Sequence, residues 1–192
     1  WREPEEKWAL WEAIERRAFP GSVSNHHLGT LLGLLLAAYE MNHFKDTYQK
    51  AVIANAKAFA RALKDAGLDV AGDPAVDYTE THQVIVNVGY GMGPDAAGRL
   101  EASNILCNYQ ATPDEEGFTA AGGLRLGVSE MTRFGMGPDE FRKIADLMAD
   151  LILRDRAVGD DVAALRGDFT EIGYTFGDGE FAPLLEKLRG LI

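Results

Sequence analysis

Apolar positions recur along this chain mostly at helical spacing, interrupted by short runs that read as strands. Trp8, Trp11, Ala13 and Ile14 predict a short amphipathic entry helix, broken by Phe19-Pro20-Gly21. A second helix is predicted from about Ser24. Over residues 26–39 it is leucine-rich and apolar nearly all round, which predicts burial on every side. Over residues 42–66 the pattern turns one-sided, with Tyr48, Val52, Phe59 and Leu63 on one stripe, and Gly67 stands where a left-handed C-cap belongs. Strands are predicted at residues 83–88, at Ile105-Leu106-Cys107 and at Gly122-Gly123-Leu124-Arg125-Leu126-Gly127-Val128, with a helix at residues 94–101. A further helix follows with Pro138, Asp139 and Glu140 in its first turn. Its core face is Phe141, Ile144, Met148, Leu151 and Ile152, ahead of Arg154 and Arg156. Amphipathic segments at residues 162–169 and 184–188 flank the turn-forming Gly177-Asp178-Gly179. The class is α/β, with no internal repeat.

Composition narrows the partners. A chain of 192 residues with 46% hydrophobic content can bury one core, or a core plus part of a larger interface. Lys plus Arg number 19 against 30 Asp plus Glu, a net charge of −11, and no basic stripe runs along the chain. Tracking a nucleic-acid backbone is therefore excluded. Residues 26–39, interrupted by Gly29, Thr30 and Gly33, are too few to span a bilayer, so no membrane partner is expected. The single cysteine, Cys107, reads as a packed strand residue and cannot close an internal disulfide; with no signal peptide in view, the expected compartment is the cytoplasm. The chain opens at Trp1 without an initiator methionine and runs into a charged segment, which reads as part of a longer protein.

Three places carry candidate chemistry. Arg125 stands in a short apolar strand with Leu124 and Leu126 on the opposite face, so its planar fork can grip a carboxylate or phosphate from a rigid element. In so acidic a chain it can equally serve as the structural partner of an aspartate. Ser22-Val23-Ser24-Asn25-His26-His27 precedes the leucine-rich helix, where hydroxyl and amide groups can cap the helix and its N-terminus can receive an anion. His26 and His27 have no second ligand cluster at metal spacing, so no metal site is expected. Asn108-Tyr109-Gln110, followed by Pro113-Asp114-Glu115-Glu116-Gly117, reads by itself as a solvated loop between strands.

Phe19-Pro20-Gly21, the arginine strand and Met131-Thr132-Arg133-Phe134-Gly135-Met136 come in an order that resembles serine hydroxymethyltransferase, over most of the chain. The resemblance implies the C-terminal part of a pyridoxal-phosphate-dependent transferase of the aspartate-aminotransferase fold (fold type I). Residues 1–45 would then be the end of the large cofactor domain with a connecting helix, and residues 46–192 the small α/β domain. It implies that Arg125 binds the substrate α-carboxylate. Ser24 and Asn25, in place of the family's paired glycines, would contact the cofactor phosphate of a neighbouring subunit. His26 and His27 would lie at that junction near substrate, and Gln110, in place of an asparagine, near tetrahydrofolate. The Schiff-base lysine is expected upstream of Trp1, since Lys7, Lys45, Lys50 and Lys57 lack its motif.

The implied partners are the N-terminal part of the same enzyme, a second copy in a homodimer or higher homo-oligomer, and a small amino acid. The implied reaction makes or breaks the Cα–Cβ bond of a serine-type amino acid, with 2-methylserine and D-alanine or serine and glycine as the pair. A threonine aldolase or L-threonine transaldolase is the alternative reading, and a non-catalytic assembly domain of the same fold is a second.

Overall fold

In the computed structural model, which describes residues 5–190, the chain forms two compact units, one running to Tyr39 and the other beginning at Glu40. Trp1, where the boundary of a longer protein is expected, lies outside the described residues. The first unit holds α1 (Glu5–Arg16), a kinked turn at Arg17–Ser22 with Phe19 in extended conformation, and the start of α2 (Leu28–Asp65). The predicted entry helix is present, and it ends just before the Phe-Pro-Gly triplet, where proline can supply no amide donor.

Helix α2 differs from expectation in three ways. It starts at Leu28 and not near Ser24: its first backbone bond runs from the Leu31 amide to the His27 carbonyl at 3.0 Å, leaving Ser24 and Asn25 in the loop ahead of it. It also continues through residues 40–42, so the two predicted helices are one of 38 residues. No Gly or Pro falls between Tyr39 and Asn42, and the change of pattern there marks the start of the buried core. Finally, the leucine-rich stretch is not buried. Leu28, Leu34 and Tyr39 are 68%, 65% and 62% exposed, because no described part of the chain covers them.

In the second unit the predicted stripe of α2 is buried, from Tyr48 through Val52 and Phe59 to Leu63. Gly67, at φ +99°, ends the helix as expected. Its amide bonds the Lys64 carbonyl and that of Leu68 the Leu63 carbonyl, the paired bonds of a Schellman motif. Against this helix lies a sheet in the order β1 (Asp69–Val70), β2 (Gln83–Asn87), β4 (Gly123–Gly127), β3 (Asn108–Gln110), every neighbouring pair antiparallel. Because β2 and β3 each run antiparallel to β4, they are parallel to one another. Helix α3 (Gly93–Ala102) connects them, making a split β-α-β unit with β4 inserted.

The strand expected at Ile105-Leu106-Cys107 begins instead at Asn108. Asn104 adopts the left-handed conformation at φ 61°, and the Ile105 amide bonds the Leu100 carbonyl at 2.9 Å, so the apolar triplet starts as the closure of α3. Leu106 is 80% exposed and Cys107 is half-buried in this connection, not in a strand. Helices α4 (Ser129–Arg133), α5 (Pro138–Arg154), α6 (Gly159–Gly167) and α7 (Asp178–Arg189) complete the chain.

Val84, Val86, Leu124 and Leu126 of the sheet join Phe59 and Leu63 of α2 and Phe141 and Met148 of α5 in one buried cluster. Buried Asn55 fastens the segment after β4 to α2. Its side-chain amide donates to the Thr132 hydroxyl and the Met136 carbonyl, both at 2.9 Å, and the Thr132 hydroxyl donates to the Val128 carbonyl at 2.7 Å.

A second polar clamp sits at Glu40, which is 5% exposed. Arg133 donates to its carboxylate at 2.5 Å, the Phe176 amide at 3.3 Å, and the Thr175 hydroxyl donates as well. Burial pushes the Glu40 carboxyl up, but the bonds from Thr175, Arg133 and Phe176 outweigh it and hold the group below its usual range. A carboxylate so depressed contributes stability that is full above the unfolded value of roughly 4.3 and is lost as pH falls through the lower folded value. Glu40→Gln is expected to cost about 1.5–3 kcal/mol at neutral pH and to flatten the fall in stability below about pH 4.5. Urea midpoints of both proteins between about pH 3 and 7 check this, with an equal acid dependence counting against it.

Candidate functional site

Strand β4 splits its side chains between two environments. Leu124 and Leu126 point into the core, 0% and 4% exposed, while Arg125 stands exposed on the other face of the sheet. Its register partners are Ile85 on β2 and Asn108 on β3, so the guanidinium rises from a strand hydrogen-bonded on both sides. Among the described residues the Arg125 side chain has no hydrogen bond or ion pair. The other described arginines of this unit are occupied: Arg61 by Asp77, Arg99 by Asp155, Arg133 by Glu40, and Arg154 and Arg156 by Asp150. Arg142 and Arg189 pair with acids on their own helices, and Arg166 donates to the Phe169 carbonyl. Among the described residues no aspartate partners Arg125.

The surroundings of Arg125 are polar and mostly uncharged. His82, Asn108, Cys107 and Glu101 line a groove of about 560 Å³ with it. A second groove, of about 540 Å³, runs over the same sheet past Thr79, Thr81, Gln83, Ile85 and Gln110. Asn108 and Gln110 alternate along β3 onto the Arg125 face, so the sequence-predicted Gln110 does share that surface. Asn108 faces Arg125 directly, a neighbour that the sequence reading left in a loop because β3 was placed three residues early. Burial, with Glu101 nearby, pushes the Cys107 thiol up to about 11, so beside this groove it stays a protonated thiol.

Between Gln110 and Arg125 the loop is tied down. Glu115 accepts from the Thr112 amide at 2.7 Å and the Gly122 amide at 3.1 Å, and these bonds hold its carboxyl below the usual carboxylate range. The Gly122 carbonyl takes the Val88 amide at 2.8 Å, and the Ala121 carbonyl takes the Gly93 amide at 2.9 Å. Gly122 is required here: a Cβ would lie 2.3 Å from Glu115 Oε1 and 2.4 Å from the Gly89 carbonyl oxygen. A Cβ on Gly123 would lie 3.0 Å from the Gln110 carbonyl oxygen, a looser fit, whereas Gly127 has open space.

Ser24, Asn25, His26 and His27 lie together, all exposed, in the loop that opens α2 in the first unit. No group of three metal-ligating side chains forms among the described residues, and no described helix is long and apolar enough to cross a membrane. Lys45 bonds the Asn42 side chain and Lys57 the Val76 carbonyl, each serving its own neighbourhood.

A free guanidinium on a rigid face, with His82, Gln83 and Asn108 beside it, can bind and orient a carboxylate. A family model described as serine hydroxymethyltransferase matches residues 3–148. Serine hydroxymethyltransferase of Methanopyrus kandleri is 42% identical over 88% of this chain and 41% of its own length. That of Archaeoglobus fulgidus is 41% identical over 89% of this chain and 40% of its own. Among solved structures, L-threonine transaldolase from Pseudomonas fluorescens in its internal aldimine state superposes with a TM-score of 0.78. It is 31% identical, with 90% of this chain and 40% of that chain covered. The chain thus spans about two fifths of the length of the relatives it matches.

Proposed function

The chain belongs to the serine hydroxymethyltransferase family, and from that premise we propose that it works as the C-terminal part of a pyridoxal-phosphate-dependent transferase that makes or breaks the Cα–Cβ bond of a serine-type amino acid. The observation that supports this reading best is the unpaired Arg125 on the open sheet face. Its two-point grip on the α-carboxylate orients the Cα–Cβ bond for cleavage. Pyridoxal phosphate, when bound, supplies the electron sink for the bond broken at Cα. The uncharged donors beside Arg125 suit a zwitterionic amino acid, and the lysine that anchors the cofactor belongs to the upstream part of the enzyme.

Within this proposal Ser24 and Asn25, with the N-terminus of α2, hold the cofactor phosphate of a neighbouring subunit. His26 and His27 lie at that junction, and Gln110 meets a tetrahydrofolate acceptor through its side-chain amide. Residues 1–45 serve as the end of the cofactor domain and the connecting helix, and residues 46–192 as the small domain. The exposed leucine flank of α2 supports assembly, since an apolar surface of that extent is covered in a working enzyme by the upstream part and a second copy. The compartment proposed is the cytoplasm.

The test is an assay of the full-length enzyme with pyridoxal phosphate on 2-methylserine, serine and threonine, with and without tetrahydrofolate. Serine-type donors are expected to turn over faster than threonine and to respond to the folate. A methyl group at Cα is worth only about 1–3 kcal/mol of discrimination, so 2-methylserine and serine should differ by degree. Threonine turning over fastest, independent of folate, would replace this reading with that of an aldolase or transaldolase.

A further inference from the structure

In the loop between the two proposed binding residues, the Glu115 carboxylate is bonded to backbone amides near both ends of the loop. Its Oε2 accepts from the amide of Thr112, two residues after Gln110, and from the amide of Gly122, three residues before Arg125. The end of the loop is fixed independently, through the Gly91, Gly93 and Val88 amides bonded to the Ala120, Ala121 and Gly122 carbonyls. Among the described residues the start of the loop has no comparable backbone tie to the sheet beyond β3, and the exposed Tyr90 hydroxyl reaches Glu116 at 3.2 Å. Glu115 links the two ends, and it lines the groove that holds Gln110. The fit is close, since the missing Cβ of Gly122 leaves the space in which the carboxylate sits.

Resting on the reading of Arg125 and Gln110 above, we infer that Glu115 is a positioning residue. By bonding both ends of the 111–122 loop it holds that loop in place as a wall of the groove that Gln110 lines, where the proposed folate acceptor would sit. It does so through an oxygen atom accepting two amides, so its role follows acceptor strength. Gln keeps an oxygen in place without the charge, and Ala removes the acceptor altogether.

The test uses the full-length holoenzyme with serine and tetrahydrofolate as probes, comparing wild type with Glu115→Gln and Glu115→Ala. For Ala, KM for tetrahydrofolate is expected to rise about tenfold with kcat within about twofold, and Gln is expected to fall between Ala and wild type. A second readout does not depend on turnover: amide hydrogen exchange at Thr112 and Gly122 should accelerate about tenfold in the Ala variant. Faster exchange with unchanged KM overturns the positioning role, as does a fall in kcat alone, or equal effects of Gln and Ala. A wild-type enzyme with no activity on any serine-type donor sinks the functional reading instead, whereas unaltered exchange in the Ala variant sinks this inference by itself.

Discussion

Arg125→Ala in the full-length enzyme is expected to lower kcat/KM by about 10²–10⁴-fold. Two charge-assisted hydrogen bonds to a carboxylate, at roughly 1.5–3 kcal/mol each, amount to about 3–6 kcal/mol, and every 1.4 kcal/mol is about tenfold. Fold and cofactor content should persist, because the side chain is exposed and supports no other described group. Arg125→Lys should recover little, since an ammonium on a flexible stem cannot reproduce the two parallel donors. Steady-state kinetics beside a cofactor absorbance spectrum measure both halves. Wild-type kinetics in the Ala variant would remove Arg125 from the site.

The largest effect on stability is expected one residue away. Leu124 is fully buried in the face that packs against the helices, and Leu124→Ala should cost about 2–5 kcal/mol through lost burial and the cavity left behind. Its neighbours Val84, Val86 and Leu126 are fixed by the same sheet, so little collapse into the space is available. A shift of the urea midpoint at constant slope measures it, and a loss under about 1 kcal/mol would show that the sheet repacks. Together the two substitutions separate the faces of one strand, with the effect on chemistry on one side and on folding on the other.

The alternation of Leu124, Arg125 and Leu126 was legible in the sequence because period two is a property of the strand alone, and so was the Gly67 cap, which needs only a left-handed residue in place. What failed to read depended on neighbours distant in sequence. The triplet at residues 105–107 looked like a strand because apolarity alone cannot tell a strand from the closure of a helix, and the Asn104 turn that decides it is a single left-handed residue. With β3 misplaced, Asn108 escaped notice as the neighbour of Arg125. The unbroken course of α2 was hidden by a change in its surroundings at Glu40, since hydrophobic pattern records what a helix packs against and not where it stops. Glu115 gave no signal beyond its charge, as its partners are backbone amides that any residue carries.

The insertion of β4 between β2 and β3 also orders events during synthesis. A ribosome that has released residues 1–122 has delivered both flanking strands, yet β3 has no partner until β4 follows. Strands β1 and β2 can already pair, but β3 waits on the arrival of the Arg125 segment, and the sheet closes only after long-range contacts replace an open loop. Quality control in the cell would then meet the nascent domain with its β3 edge bare for the time needed to make some twenty residues, roughly one to four seconds.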